Sequence, residues 1–464
     1  MMNYDIAVIG GGIAGYCAAI RSQQAGQKTV LISQGQSALH FSSGSIDVLG
    51  RLPTGELVAD PFAAIAQLQA IAQLQNDALA SPTLPGQTML PQQTSSQTGQ
   101  HPYVKVGQTV VKQSLLWFKE MLAAEVALSH QPDHANHWRI TPFGTLKATW
   151  LSQPHVYQHR DRAKADFREI VIIALAGYRD FQPQILKDNL TRVADFAGLP
   201  IRIATIHLPS VEHGQRHPCE RRSLDIAHLL QQASIWSAFC EQLTEMTQSD
   251  DLVILPAVIG HGDGMAVLDR LQQATQRHFH EVPTMPPSLM GIRLEAALHR
   301  IFIQAGGVHL KGDQVLGGHF EGHRLTKVYT RNLTDIPVRA DQYIMATGSY
   351  FSQGLQASRQ VIKEPVFGLD VAQITPRTQW GGHDFIADQP HPFMTFGVST
   401  NDQLNPSYCG ETITNLYCCG AMLAGYDPVF EGSGGGVAIA TAYHAVAQCI
   451  TDNVCPATCQ EALS

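Results

Sequence analysis

The chain opens on a short apolar run, YDIAVI (Tyr4 to Ile9), that reads as a buried strand. GGGIAG follows, then YCAAIRSQQAG, helical in composition and closed by Gly26. TVLIS (Thr29 to Ser33) is the next strand. Strand, glycine loop, helix and strand in about 30 residues make the unit in which a glycine fingerprint carries meaning. The third parallel strand does not come next. Residues 51–289 carry their own elements: SLLWFKEMLAAEVAL has helical composition, and WRITPFGTLKATW and EIVIIALAGY read as strands. The polar tract Ser81 to Gln100 reads as a surface loop.

The parent sheet then resumes. PPSLMGIRLEAALHRIFIQAGG is a helix with an apolar stripe of Met290, Leu294, Leu298, Ile301 and Ala305, ended by Gly306 and Gly307. VHL (Val308 to Leu310) is the expected third strand. Three short strands forming a meander are expected within about Gln314 to Ala340, and DQYIMATG (Asp341 to Gly348) is a further parallel strand ending in a glycine turn. The last stretch reads as strand, loop, glycine cluster and helix. The pattern predicts an α/β protein: a Rossmann-like, doubly wound nucleotide-binding domain from residues 1–50 and 290–464, with an α+β domain inserted at 51–289.

Composition narrows the function. Of 464 residues, 44% are hydrophobic and 15% charged, a globular balance, and the net charge of −8 comes without long runs, which argues against a nucleic-acid binder. No apolar run approaches the roughly 18 residues that cross a bilayer. The start of the chain has no basic segment or cleavage site, so a cytoplasmic protein is expected, touching a membrane only through a partner. The 9 cysteines, among them Cys418, Cys419, Cys455 and Cys459, form neither a disulfide framework nor a cluster-binding run, so iron–sulfur centres would belong to another chain.

Gly10, Gly12 and Gly15 match G-x-G-x-x-G, and their place between strand and helix points to a bound phosphate at the helix N-terminus. Gly420, Gly432 and the run Gly434, Gly435 and Gly436 form a second glycine site. The helix behind it would aim its positive end over the sheet edge, where a reduced flavin places negative charge. Close helix packing is the other reading of these glycines. Thr347 and Gly348 end a parallel strand at the same edge. HFSSGSIDVLG offers Ser42, Ser43, Gly44 and Ser45 as a loop against a ribityl chain or ring, or as an ordinary turn. Ser33 and Gln34 stand where a dinucleotide site usually carries an acid for the adenosine ribose.

QSALHFSSGSIDVL, RITPFGTLKATWLS, GYRDFQPQ, PTMPPSLMGIRL, TRNLTDIPVR, EPVFGLDV and GYDPVFEGSGGGV occur in order along almost the whole chain. Through them it resembles the B-subunit family of the anaerobic glycerol-3-phosphate dehydrogenase. The resemblance implies a flavin-bearing chain to which FMN is assigned. It implies the A-subunit of the same dehydrogenase as partner, and an iron–sulfur protein that attaches the complex to the inner face of the membrane. It implies oxidation of sn-glycerol 3-phosphate to dihydroxyacetone phosphate, with electrons passing to quinone and on to fumarate or nitrate. FMN lacks adenosine, so the missing acid favours FMN, with FAD the alternative. Catalytic residues stay unassigned, and an electron relay beside the A-subunit is the expected role. The rival readings are a stand-alone fumarate-reductase-like oxidoreductase and a flavin-free structural component of the complex.

Three other groups invite attention. Arg293 is read as a clamp for phosphate or flavin, or else as an ion-pair partner. His383 and Asp384 read as an exposed polar loop before an acid–base pair. His207, His213, His217 and Cys219 fit no common zinc spacing, and no metal is expected.

Overall fold

The computed structural model describes residues 2–80, 99–160, 167–209, 217–260, 264–384 and 390–454. Residues 81–98 of the polar tract, His213, Cys455 and Cys459 lie outside them. The chain runs through β1 (Met2–Ile9), α1 (Ile13–Gln24), β2 (Thr29–Ser33), α2 (Pro61–Ala80), α3 (Pro102–Val106) and α4 (Gln108–Leu122). A hairpin of β3 (His137–Ile140) and β4 (Leu146–Thr149) leads to β5 (Ile170–Leu175), α5 (Pro183–Leu190), β6 (Ile201–Ile206), α6 (Ser223–Leu229) and α7 (Ala233–Met246). Then come β7 (Leu252–Pro256), α8 (Gly264–Thr275), β8 (His278–Val282), α9 (Leu289–Gln304), β9 (Val308–Lys311), β10 (Val315–Glu321), β11 (Arg324–Thr330) and β12 (Val338–Met345). Past several two-residue ladders, β13 (Leu416–Cys418) and α10 (Gly434–Val454) complete the order.

Two compact units result. The first comprises Met1–Ser37, Asp47–Met121 and Leu298–Ser464. Its sheet has the order β10-β11-β12-β1-β2-β9, with β13 also paired to β12. Parallel pairing sets Ile9 opposite both Met345 and Ile32, so β1, β12 and β2 end at one level. Ile6, Ala7 and Val8 are fully buried, as expected for a central strand covered on both faces. The VHL segment is β9, parallel to β2 with Val30 opposite Val308. The meander differs from expectation. It has two strands, β10 and β11, and the third is the start of β12, where Val338 pairs antiparallel with Val328. One unbroken extended run therefore serves two neighbours of opposite direction.

Residues 47–121 group with the first unit, whereas the sequence pattern starts the insertion at residue 51. The physical tie is Tyr103 of α3. It is fully buried, and its hydroxyl donates to the Val48 carbonyl at 2.6 Å.

The second unit comprises Ala38–Ile46 and Leu122–Ala297. Its main sheet has the order β6-β5-β7-β8, with every pairing parallel. Val171, Ile173, Val253 and Leu255 feed one core with Ile226 and Phe239. Ile170, Ile172, Leu252 and Ile254 feed another with Leu186 and Phe196. Strands buried on both faces lose the alternation of a half-exposed sheet, which explains the continuous run IVIIALA. The strand order reverses between β5 and β7.

Candidate functional site

The first glycine turn follows β1 at the C-terminal edge of the first unit's sheet. Three of its glycines have internal reasons to be glycine. Gly10 has φ +120°, and a Cβ there would lie 2.2 Å from the Ala346 carbonyl oxygen, where β12 ends. A Cβ on Gly15 would lie 1.7 Å from the Gly10 carbonyl oxygen, and one on Gly11 would lie 2.7 Å from the Ser33 Cβ. These close approaches pack α1 onto β1 and β2.

Gly12 is different. It caps α1 with φ −83° and ψ −174°, extended backbone open to any residue, and a Cβ there would meet nothing within 4 Å. Neither strain nor packing within the chain asks for glycine at this position. No side chain caps the helix, and Tyr16 is the first residue of α1 whose amide has its acceptor, the Gly12 carbonyl at 3.0 Å. Open space before uncapped amides is the geometry of a helix N-terminus that receives a phosphate.

The other predicted residues of this unit surround the same sheet edge in different roles. Ser33 ends β2, and its Oγ lies 2.8 Å from His309 Nε2 on β9. Burial, helped by neighbouring His299 and Lys311, pushes the His309 pKa down to about 4, so its ring is neutral at pH 7. Thr347 and Gly348 follow β12. Gly348 has φ +79°, and the Ser352 hydroxyl donates to the Thr347 carbonyl at 2.7 Å, locking the turn. Gly420 has φ +76°, donates its amide to Thr441 Oγ1 of α10 at 2.9 Å, and leaves only 2.9 Å between an added Cβ and the Ala14 Cβ of α1.

Gly434, Gly435 and Gly436 form the first turn of α10. Gly436 is a packing glycine: a Cβ there would lie 2.1 Å from the Tyr103 hydroxyl, and its amide is taken by the Asp47 carbonyl at 2.9 Å. Gly434 and Gly435 are half-buried, leaving the start of the turn accessible. Sequence reasoning missed what holds this turn. Glu431 accepts from the Asp427 amide and the Ser433 hydroxyl, each at 3.0 Å, and meets His101 Nε2 at 3.0 Å, all of it buried. The motif GYDPVFEGSGGG carries the acids, but nothing in the sequence links them to His101.

The loop Ser42 to Ser45 belongs to the second unit. Ser42 Oγ accepts from the Gly44 amide at 3.2 Å, Ser45 Oγ lies 3.4 Å from Ser152 Oγ, and Ser43 is half-buried. Gly44, at φ +66°, is pressed against Gln153, whose amide donates to the Gly44 carbonyl at 3.3 Å and the Met290 carbonyl at 3.1 Å.

Arg293 is no free clamp. It is buried against Glu281, with contacts of 2.7 and 3.0 Å, and its remaining donors go to Gln153 and the Ile259 and Gly260 carbonyls. His383 and Asp384 are exposed and 3.2 Å apart. His217 Nδ1 lies 2.8 Å from Cys219 Sγ, and among the described residues no group of three metal-binding side chains forms. Among those residues no helix is long and apolar enough to cross a membrane.

A glycine turn and an uncapped helix behind the first strand of a parallel sheet are the features of a nucleotide-binding class, and the family comparison agrees. A model described as the FAD binding domain matches residues 5–437, so this is a flavoprotein of that oxidoreductase class. The B-subunit of the anaerobic glycerol-3-phosphate dehydrogenase of Vibrio cholerae is 59% identical over 97% of each chain, and that of Vibrio vulnificus 52% identical over 96% of each. The chain belongs to this B-subunit family of anaerobic glycerol-3-phosphate dehydrogenases. Among solved structures, quinol fumarate reductase FrdA of E. coli is similar over 100% of this chain and 72% of its own, with 10% identity and a TM-score of 0.43. The expectation of a flavin holds. FMN as the first choice is not supported, because the matching family is described by FAD.

Proposed function

We propose that this chain is the flavin carrier of an anaerobic glycerol-3-phosphate dehydrogenase, holding the flavin with a phosphate against Gly12 and the first turn of α1. One observation carries the reading: Gly12 sits in unstrained backbone at an uncapped helix start with nothing where its side chain would be. FAD is the flavin the family match favours. The absent acid at Ser33 does not oppose it, because a hydroxyl bonded to a neutral histidine still accepts a hydrogen bond from a ribose.

A bound flavin supplies the electron acceptor for oxidising sn-glycerol 3-phosphate to dihydroxyacetone phosphate and the donor toward a quinone in fumarate or nitrate respiration. The part of this chain is to seat the phosphate at α1 and to present the accessible start of α10 at the sheet edge. The A-subunit and a membrane-associated iron–sulfur protein complete the complex, which rests on the inner face of the cell membrane. In this reading the A-subunit meets the substrate and this chain relays the electrons.

Denaturing the purified chain and chromatographing the released flavin tests the cofactor. FAD in one-to-one amount is the expected result. FMN restores the reading drawn from the missing acid, and a colourless chain removes the flavin role altogether. Giving the isolated chain glycerol 3-phosphate tests the relay: its yellow absorbance should persist, and rapid bleaching without the A-subunit places the oxidation on this chain.

A further inference from the structure

Ser288 immediately precedes α9, the position from which a hydroxyl ordinarily caps a helix. Its side chain is 2% exposed, yet its Oγ has no hydrogen-bond partner. The Ser288 amide donates to the His40 carbonyl at 2.7 Å, which brings the HFSSG loop onto the helix start. The His40 ring is bound through Nε2 to Glu295, in the second turn of α9, while its Nδ1 is buried and unpartnered. The first amide of the helix to find an acceptor is that of Ile292, bonded to the Ser288 carbonyl at 3.0 Å. Among the described residues no acceptor meets the amides of Leu289, Met290 or Gly291. A Cβ on Gly291 would lie 1.8 Å from the Leu39 carbonyl oxygen and 2.8 Å from Ser42 Oγ, so Ser42 stands at this same turn.

Burying an unbonded hydroxyl is costly, and a buried helix end without partners is costlier. Such a set of donors makes sense when a ligand completes it. Amides at the positive end of a helix together with hydroxyls call for an anion. Arg293, one turn along, is already spent on Glu281 and does not neutralise that anion. Three amides, two hydroxyls and an imidazole exceed what a carboxylate's two oxygens absorb and suit the three terminal oxygens of a phosphoryl group. His40 Nδ1, buried and unpartnered, lies beside these donors.

The topology agrees. Leu289 and Met290 pack with Ala257, the residue after β7, and with Ala227 of α6. The first turn of α9 therefore lies beyond the C-terminal edge of the β6-β5-β7-β8 sheet, on the strand beside the reversal of strand order, where open parallel sheets bind ligands. We propose that the N-terminus of α9, with Ser288, His40 and Ser42, binds a phosphoryl group within the second unit. The phosphate belongs to a small phosphomonoester such as glycerol 3-phosphate. Only that choice of owner rests on the function proposed above.

The test uses the full chain as purified. Inorganic phosphate and sn-glycerol 3-phosphate are titrated while thermal stability and phosphorus NMR linewidth are followed, and flavin per chain is measured alongside. Ser288→Ala removes one donor. Ser288→Asp places a carboxylate at the cap, a good N-cap that keeps the helix folded and fills the anion site from within. Each variant is expected to weaken phosphoryl binding about tenfold to a hundredfold. If both probes stabilise the wild type and Ser288→Asp abolishes the response while flavin stays, the site takes a free phosphomonoester and this chain contacts substrate. No response in the wild type overturns the proposal, as does a phosphate response that both variants leave unchanged. A wild type without flavin sinks the proposed function but leaves the phosphate titration informative.

Discussion

Gly12 and Gly15 lie three positions apart, and a methyl group would have opposite consequences at each. At Gly15 it would press into the Gly10 carbonyl, so Gly15→Ala should cost about 1–3 kcal/mol or more and lower the denaturation midpoint. At Gly12 it would enter open space, so Gly12→Val should keep stability within about 1 kcal/mol while flavin per chain collapses. A folded Gly12→Val that stays fully yellow ends the phosphate reading. The spacing of these glycines is legible in the sequence, but the division of labour is not. It depends on Ala346 and Ser33, which only the folded chain brings to the loop. His309 is equally hidden, since it meets Ser33 from 276 residues away. A second residue-scale prediction concerns His280, fully buried, with Nδ1 accepting from the Tyr157 amide at 2.8 Å and Nε2 3.0 Å from the Ile140 carbonyl. Burial holds its pKa down at about 4. The unfolded chain takes up the proton first, so stability is full above about pH 6.5, falls between there and about 4, and levels off below. A His280→Gln variant should show a flatter dependence of denaturation midpoint on pH over that window.

Single elements show why some motifs read clearly without revealing their purpose. EPVFGLDV stands out in the sequence, and the structure supplies its mechanism. The buried carboxylate of Glu364 accepts from the amides of Val366, Phe367, Gly368 and Leu369 at 2.6 to 3.3 Å, folding the segment around an anion that the chain itself provides. Glu364→Ala strands those donors and should cost about 2–4 kcal/mol in chemical denaturation. The start of α10 is a related case. Its glycine run is legible as a helix entrance, yet Gly436 serves Tyr103, and α3 is too short to announce itself by periodicity. The apolar stripe of α9 gave the helix and its end, with Met290, Leu294 and Leu298 buried, but Phe302 is buried where Ile301 and Ala305 were expected. The unpartnered hydroxyl of Ser288 is invisible to pattern reading, because serine before a helix normally satisfies itself.

Across the whole chain, the first sheet was readable because its strands flank glycine turns. The order β6-β5-β7-β8 was not, since apolar runs buried on both faces carry no sign of which neighbour they pair with. If the flavin binds the first unit as proposed, it stabilises the folded state by mass action. At free flavin about one hundred times its Kd, the apoprotein should gain about 2.7 kcal/mol, read as a rise in thermal midpoint on adding FAD. An unchanged midpoint would mean that the folded chain does not bind FAD. The register of β1 has a further consequence. Met2 lies opposite Val338 and Ile9 opposite Met345, so β1 is paired with a strand more than three hundred residues further along the chain. β1 and β2 are made long before β9 and β12, while the four strands of the second unit's main sheet are translated between them. The first sheet therefore closes only after β9 and β12 have been made, and until then β1 and β2 leave strand edges unpaired.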